Sequence, residues 1–222
     1  MHLNEDRVKK LGQRIADEDL TERHRTRTRD EYRTIFGVEP TAETGREHLD
    51  LIFERVIQAR ATPLPADRYR ELAEQDVLRE ALRQPSHDAA FQLLYGTDDI
   101  GQKIANEMLR HVVDLFGINS EWRDELDVAL DTNVVQALVK TGAIELDEAE
   151  THRDAGEIVN MRPDANPTTK LSYSSVQEAF DEAAGEHGFA PIVFDELWLE
   201  HREFISDPLL RERSKFADLI VA

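Results

Sequence analysis

The chain takes its positive charge from 21 arginines and only 6 lysines, so a lysine at a structured position has to be weighed as an amine as well as a charge. Lys103 holds such a position. It follows Gly96-Thr97-Asp98-Asp99-Ile100-Gly101-Gln102, a turn bounded by glycines between two apolar-periodic segments, which places it in the first turn of a helix. The positive end of the helix dipole there disfavours an ammonium ion. A neutral amine can attack an electrophilic carbon and form an imine, whereas the permanently protonated guanidinium cannot. The alternative is a solvated surface: Lys103, Glu107, Arg110 and Asp114 recur at helical spacing, and Lys103 with Glu107 is an ordinary i, i+4 pair.

Asp131 also has two uses. It precedes an apolar-periodic run and can cap the free amides of a helix there, whether or not the protein is an enzyme. A carboxylate facing a cleft could instead stabilise a developing cation and help deprotonate an amine. The turn from Gly96 to Gly101, with Ile100 and Gln102, offers backbone amides that suit a phosphate, or simply joins two helices. Arg23-His24-Arg25-Thr26-Arg27-Thr28-Arg29 is the one basic concentration. Arg25, Arg27 and Arg29 could follow a nucleic-acid backbone, or pair with Glu22, Asp30 and Glu31 on a solvated helix. The eight histidines show no metal-ligand spacing, and no nucleotide loop or serine elbow is present, so no metal and no cofactor are expected.

The elements that must position these residues are helical. Leu49, Ile52, Phe53, Val56 and Ile57 form an i, i+3, i+4, i+7, i+8 stripe that ends before Pro63 and Pro65. Leu72, Val77, Leu78, Ala81 and Leu82 predict a second helix, stopped at Gln84 by Pro85. Ser86 is a cap for a short helix through Phe91 and Leu94. After the glycine turn, Ile104, Met108, Val112, Leu115 and Phe116 predict a longer one, closed by Gly117. A polar segment around Trp122 leads to the helix that Asp131 opens, buried through Val134, Val135, Leu138 and Val139 and ended at Gly142. Residues 145–167 read as an acid-rich excursion, followed by helices through Val176 and Phe180, through Phe194, Trp198 and Ile205, and after Pro208. No convincing strand is predicted.

Composition narrows the function classes. There is no cysteine, which excludes a disulfide framework, a thiolate zinc site, a cysteine-held iron–sulfur cluster and a cysteine nucleophile. No apolar run reaches the roughly 20 residues that would span a bilayer, and no signal core opens the chain, so a cytoplasmic protein is expected. The net charge of −19 is spread over every segment. It suits a salt-rich cytosol, where the Debye length falls to about 3 Å and self-repulsion is screened; an interaction module for basic partners is the other use of such acidity.

The strings Leu93-Leu94-Tyr95-Gly96, Ile100-Gly101-Gln102-Lys103-Ile104-Ala105 and Leu130-Asp131-Thr132-Asn133-Val134 resemble the helix-hairpin-helix superfamily of DNA base-excision glycosylases, in particular its 8-oxoguanine glycosylase/lyases. Asp99 stands where that family usually has glycine, and the Trp122 segment lengthens the path from Lys103 to Asp131. The resemblance implies an all-α fold of two helical lobes around a cleft. It implies an N-terminal helical extension over residues 1–45 and a glycosylase-like core over 46–222, with the hairpin near 86–116. It further implies a monomer acting on double-stranded DNA that carries a damaged base or an abasic site. Lys103 would be the nucleophile, Asp131 the catalytic carboxylate, and Gly96, Ile100, Gly101 and Gln102 the DNA-binding hairpin. Phe194, Trp198 and Trp122 are candidates for stacking on the flipped base. Two other classes remain compatible with the residues: a non-catalytic helix-hairpin-helix DNA-binding protein, and an acidic helical protein–protein adaptor.

Overall fold

Asn4, Thr41, Ser86, Asp131 and Ser172 each open a helix with a side-chain acceptor. In the computed structural model, which describes residues 1–59, 64–148, 155 and 171–202, the fold is mostly helical, with one two-stranded sheet among the described residues. Contacts divide the chain into two units, one formed by residues 1–24 and 130–222 and the other by residues 25–129. The boundary expected near residue 45 falls inside the second of these. None of the described helices is long and apolar enough to cross a membrane.

The first unit joins the two ends of the chain. β1 (His2–Leu3) pairs antiparallel with β2 (Ile144–Glu145), a sheet too short for the alternation that would reveal it in the sequence. Helix α1 (Glu5–Asp17) starts at Asn4, whose side chain accepts from the Arg7 amide, and buries Val8, Leu11 and Ile15. Its buried Gly12 lies against Ala183, where an added Cβ would come within 3.1 Å of the Ala183 carbonyl oxygen. Small residues thus let α1 approach α10 (Tyr173–His187), which opens with a Ser172–Ser175 capping box and closes at Gly188 with φ 73°. Asp131 opens α9 (Thr132–Thr141) and Gly142, at φ 78°, ends it. Phe194, on α11 (Phe194–Glu200), completes the core, its ring centroid 4.6 Å from that of Phe180 and 6.1 Å from that of Trp198. The helix expected after Pro208, Ile205 and most of the 145–167 excursion lie outside the described residues.

In the second unit α2 (Leu20–Phe36), which starts in the first unit, contributes most of its length. Next come α3 (Ala42–Glu47), opened by a Thr41–Thr44 capping box, and α4 (Leu49–Gln58), which buries the whole expected stripe. The single helix expected through Leu72 and Leu82 is two: α5 (Ala66–Glu74) and α6 (Val77–Ala81). The break is at Asp76, which adopts φ 49° in the left-handed region that no helix tolerates. α7 (His87–Tyr95) starts at Ser86, whose hydroxyl accepts from the Ala89 amide. α8 (Gln102–Leu109) runs on as a wider π-type helix through Arg110–Leu115 and stops at Gly117 with φ 70°. A 3-10 turn over Ser120–Glu125 buries Trp122. Gly45 permits the tightest approach here, since a Cβ at that position would stand 2.7 Å from the Cβ of the buried Phe116.

Candidate functional site

The strongest candidate is the hairpin between α7 and α8. Hydrogen bonds close it from within: the Gly96 amide donates to the Gln92 carbonyl at 2.9 Å, the Thr97 hydroxyl to the Leu93 carbonyl at 2.9 Å, and the Ile100 amide to the Thr97 carbonyl at 3.1 Å. Ile100 is buried and anchors the turn, while Gly96 and Gly101 are exposed. Asp99 adopts φ 68°, the left-handed conformation that glycine enters most readily and that Asp tolerates better than most residues. Its carboxylate is held by Arg68, whose Nη2 and Nε donate to Oδ2 at 2.8 and 3.1 Å, and Arg68 also pairs with Glu71. The acid in the turn is thereby matched by a guanidinium from α5, 31 residues earlier.

Gly101 caps α8 without a side chain, at φ −82° and ψ 172°, and no atom lies within 4 Å of the place a Cβ would occupy. The backbone around Gly101 is thereby uncrowded at a helix start, the kind of position where anions are held. Gln102 is buried and Lys103 half-buried in that turn. Gly96, Ile100, Gly101, Gln102 and Lys103 are brought together in this one element of the second unit.

Below Lys103 on the same helix lies a polar cluster. Glu107, four residues on, receives Arg110 Nε at 3.2 Å and Arg110 Nη2 at 3.1 Å, and His111 Nε2 faces its Oε2 at 3.6 Å. The other His111 nitrogen, Nδ1, meets the hydroxyl of the buried Tyr32 on α2. That arrangement suits the neutral tautomer in which Nδ1 accepts from the phenol and Nε2–H points to Glu107. Burial alone would push the Glu107 carboxyl up, but Arg110, His111 and Lys103 together bring it down to about 2. Burial lowers His111 against the opposing pull of Glu107, and burial raises Tyr32 above the ordinary phenol range. Glu107 and His111 recur at i, i+4, so this half of the cluster could have been read from spacing; Tyr32, 79 residues away, could not.

Asp131 belongs to the first unit and stands at the start of α9, half-buried. Its Oδ1 accepts from the amides of Asn133 at 2.8 Å and Val134 at 3.0 Å, and Oδ2 lies 3.5 Å from the Asn133 side-chain amide. The capping role is realised.

The arginine cluster sits on α2, whose opposite face buries Leu20, His24, Thr28 and Tyr32 at four-residue spacing. Arg25 and Arg29 are exposed and Arg27 half-buried. At the start of the run Arg23 pairs with Glu200 at 3.2 Å, and beyond it Arg33 pairs with Glu39 at 2.8 Å. α2 meets the α8 stem at His111, ten residues and about 15 Å of helix beyond Gly101. The aromatics considered for base stacking are buried: Trp122 in the second unit, Phe194 and Trp198 in the first. They are packed as core, because rings of this size bury more apolar area than any other side chain. The indole N–H of Trp198 has no hydrogen-bond partner among the described residues.

A separate cleft of about 580 Å³ lies between α4, α5 and α6, floored by Leu49, Phe53, Leu72, Val77 and Leu78 and edged by Tyr69. Among the described residues no three His, Asp or Glu side chains are grouped to hold a metal ion. No family model, curated protein or solved structure matches the chain.

Proposed function

We propose that the protein is a DNA base-excision glycosylase/lyase that removes an oxidised purine from duplex DNA through a lysine imine. The observation that carries this reading is the placement of Lys103 one residue inside α8, directly after an exposed glycine turn at a helix start, where a phosphate would be favoured by the helix dipole. In this reading a phosphate held at the helix start would bring the neighbouring deoxyribose to the Lys103 amine, as attack on C1′ requires.

The target nucleotide would be turned out of the duplex. The Nζ lone pair of Lys103 bonds to C1′ as the glycosidic C–N bond breaks, its electron pair leaving on the base. The base takes up a proton and the amine gives one up. The C1′–O4′ bond then opens, O4′ taking its electron pair and the remaining nitrogen proton to become a hydroxyl, which leaves the imine, and the Asp131 carboxylate would offset the positive charge that develops on the sugar. The exposed Arg25 and Arg29, with Arg27, would add affinity for the phosphate backbone.

Asp131 already serves as a helix cap, and this favours the second reading, a DNA-binding protein that keeps the hairpin without the chemistry. Incubation with duplexes carrying oxidised purines separates the possibilities. Free base in solution is expected. Duplex binding without base release would favour the non-catalytic protein, and neither binding nor release would favour an acidic adaptor.

A further inference from the structure

The cleft between α4, α5 and α6 lies within the second unit and shares no lining residue with the α7–α8 hairpin. Its volume of about 580 Å³ falls in the range of about 300–1,000 Å³ that suits a small molecule. It is also built as such sites are, with an apolar floor and a few polar groups at the edge. Two rings stand together in it: the centroid of the buried Phe53 is 6.4 Å from that of the half-buried Tyr69, at an interplanar angle of 35°. Leu72, Val77 and Leu78 continue the floor, and all three are buried.

The edge is acidic where the rings are. Asp50 is exposed in the first turn of α4, and the half-buried Glu54 follows one turn later on the same helix. Both carboxylates act on Tyr69: burial raises its phenol, and Glu54 and Asp50 raise it further. Asp76 is paired with Arg79 at 2.8 Å. Arg70, the guanidinium lining the cleft among the described residues, is exposed and stands at i, i+4 from the exposed Glu74, so that the two charges offset each other along α5. An anion would meet Asp50 and the negative faces of two rings, whereas both attract a cation. We propose that this cleft binds a small organic cation, its apolar or aromatic body seated on Phe53, Leu72 and Val77 and its ammonium head against the Tyr69 ring and Asp50. This site is independent of the lysine chemistry.

Calorimetric titration with phenylbutyltrimethylammonium tests the proposal, with phenylbutanol as the neutral probe and phenylbutyrate as the anion. About 1 M KCl shortens the Debye length to about 3 Å and screens the general acidity of the surface. The cation should bind saturably with a Kd of about 1 mM or lower, at least about 5-fold tighter than the alcohol, and the anion should bind more weakly than the alcohol. Tyr69→Leu keeps apolar bulk without a ring face; it should weaken the cation about 5-fold and leave the alcohol within about 2-fold. Asp50→Asn should weaken the cation alone, by about 2- to 5-fold. Ala73→Trp, at an exposed lining position, should fill the cleft and abolish binding of both probes. Should that variant fail to fold by circular dichroism, Tyr69→Leu and Asp50→Asn decide. The proposal is overturned by any of four results: no saturable heat from the wild-type protein, an alcohol or anion bound as tightly as the cation, cation affinity unchanged in both Tyr69→Leu and Asp50→Asn, or a folded Ala73→Trp protein that binds as wild type does. None of these results bears on the glycosylase/lyase reading.

Discussion

Substitution of Asp131 separates capping from catalysis, because the two roles use different atoms. Both cap bonds fall on Oδ1, at 2.8 and 3.0 Å, while Oδ2 lies at a long 3.5 Å from the Asn133 side-chain amide. Asn keeps an acceptor in the Oδ1 position and loses the negative charge, so Asp131→Asn should change stability by less than about 0.5 kcal/mol. Asp131→Ala removes both cap bonds and should cost about 1 kcal/mol, which in a chain of this size lowers the melting temperature by about 2–4 °C. Base release should behave otherwise. If the carboxylate stabilises the developing cation, both variants should lose about 10²-fold or more in single-turnover rate. Thermal melts followed by circular dichroism, run beside single-turnover base release on one lesion duplex, give both readings. Asp131→Asn that releases base within a few-fold of wild type would confine the residue to capping; Asn as destabilising as Ala would contradict the shared-oxygen account of the cap.

Salt and pH provide two further tests. If the net charge of −19 is an adaptation to salt, the melting temperature should rise from dilute buffer to about 2 M KCl, and an unchanged or lower value would remove that explanation. Burial lowers His111 from its ordinary 6.5, so the unfolded chain binds its proton first and stability should fall as pH drops below about 6.5; a second loss should follow between about 4.5 and 2 as Glu107 protonates. Urea unfolding at pH 7.5 and 5.5, with Tyr32→Phe and His111→Gln beside wild type, checks the first step. A pH dependence unchanged in His111→Gln would assign it to other groups.

What could be read from the sequence was local. The Leu49–Ile57 stripe, the caps at Ser86 and Asp131 and the stops at Gly117 and Gly142 each depend on a few neighbouring residues, and each is where its side-chain chemistry puts it. The break at Asp76 was hidden because nothing in Glu74-Gln75-Asp76 forbids helix; a left-handed aspartate persists only where its surroundings hold it there. Distant pairings were equally invisible: β1 with β2, Gly12 with Ala183, Arg68 with Asp99 and Tyr32 with His111. At the candidate site the hairpin and Lys103 were legible from glycine spacing and helix phase. The balance of Glu107 by Arg110 and His111 needed the side-chain geometry of the α8 stem, and the burial of Trp122, Phe194 and Trp198 required both cores.

The most direct measurement of the central claim is covalent capture. An imine between Lys103 and a deoxyribose is reduced by borohydride to a stable protein–DNA adduct, visible as a shifted band on a denaturing gel and assignable by peptide mass. In high salt with a lesion-bearing or abasic duplex, the wild-type protein should give the adduct on Lys103. Lys103→Gln, which keeps length and polarity at a half-buried position, should fold and give none. A folded Lys103→Gln protein that traps as well as wild type, or a wild-type protein that gives no adduct with any lesion duplex, would contradict the assignment of Lys103 as the nucleophile.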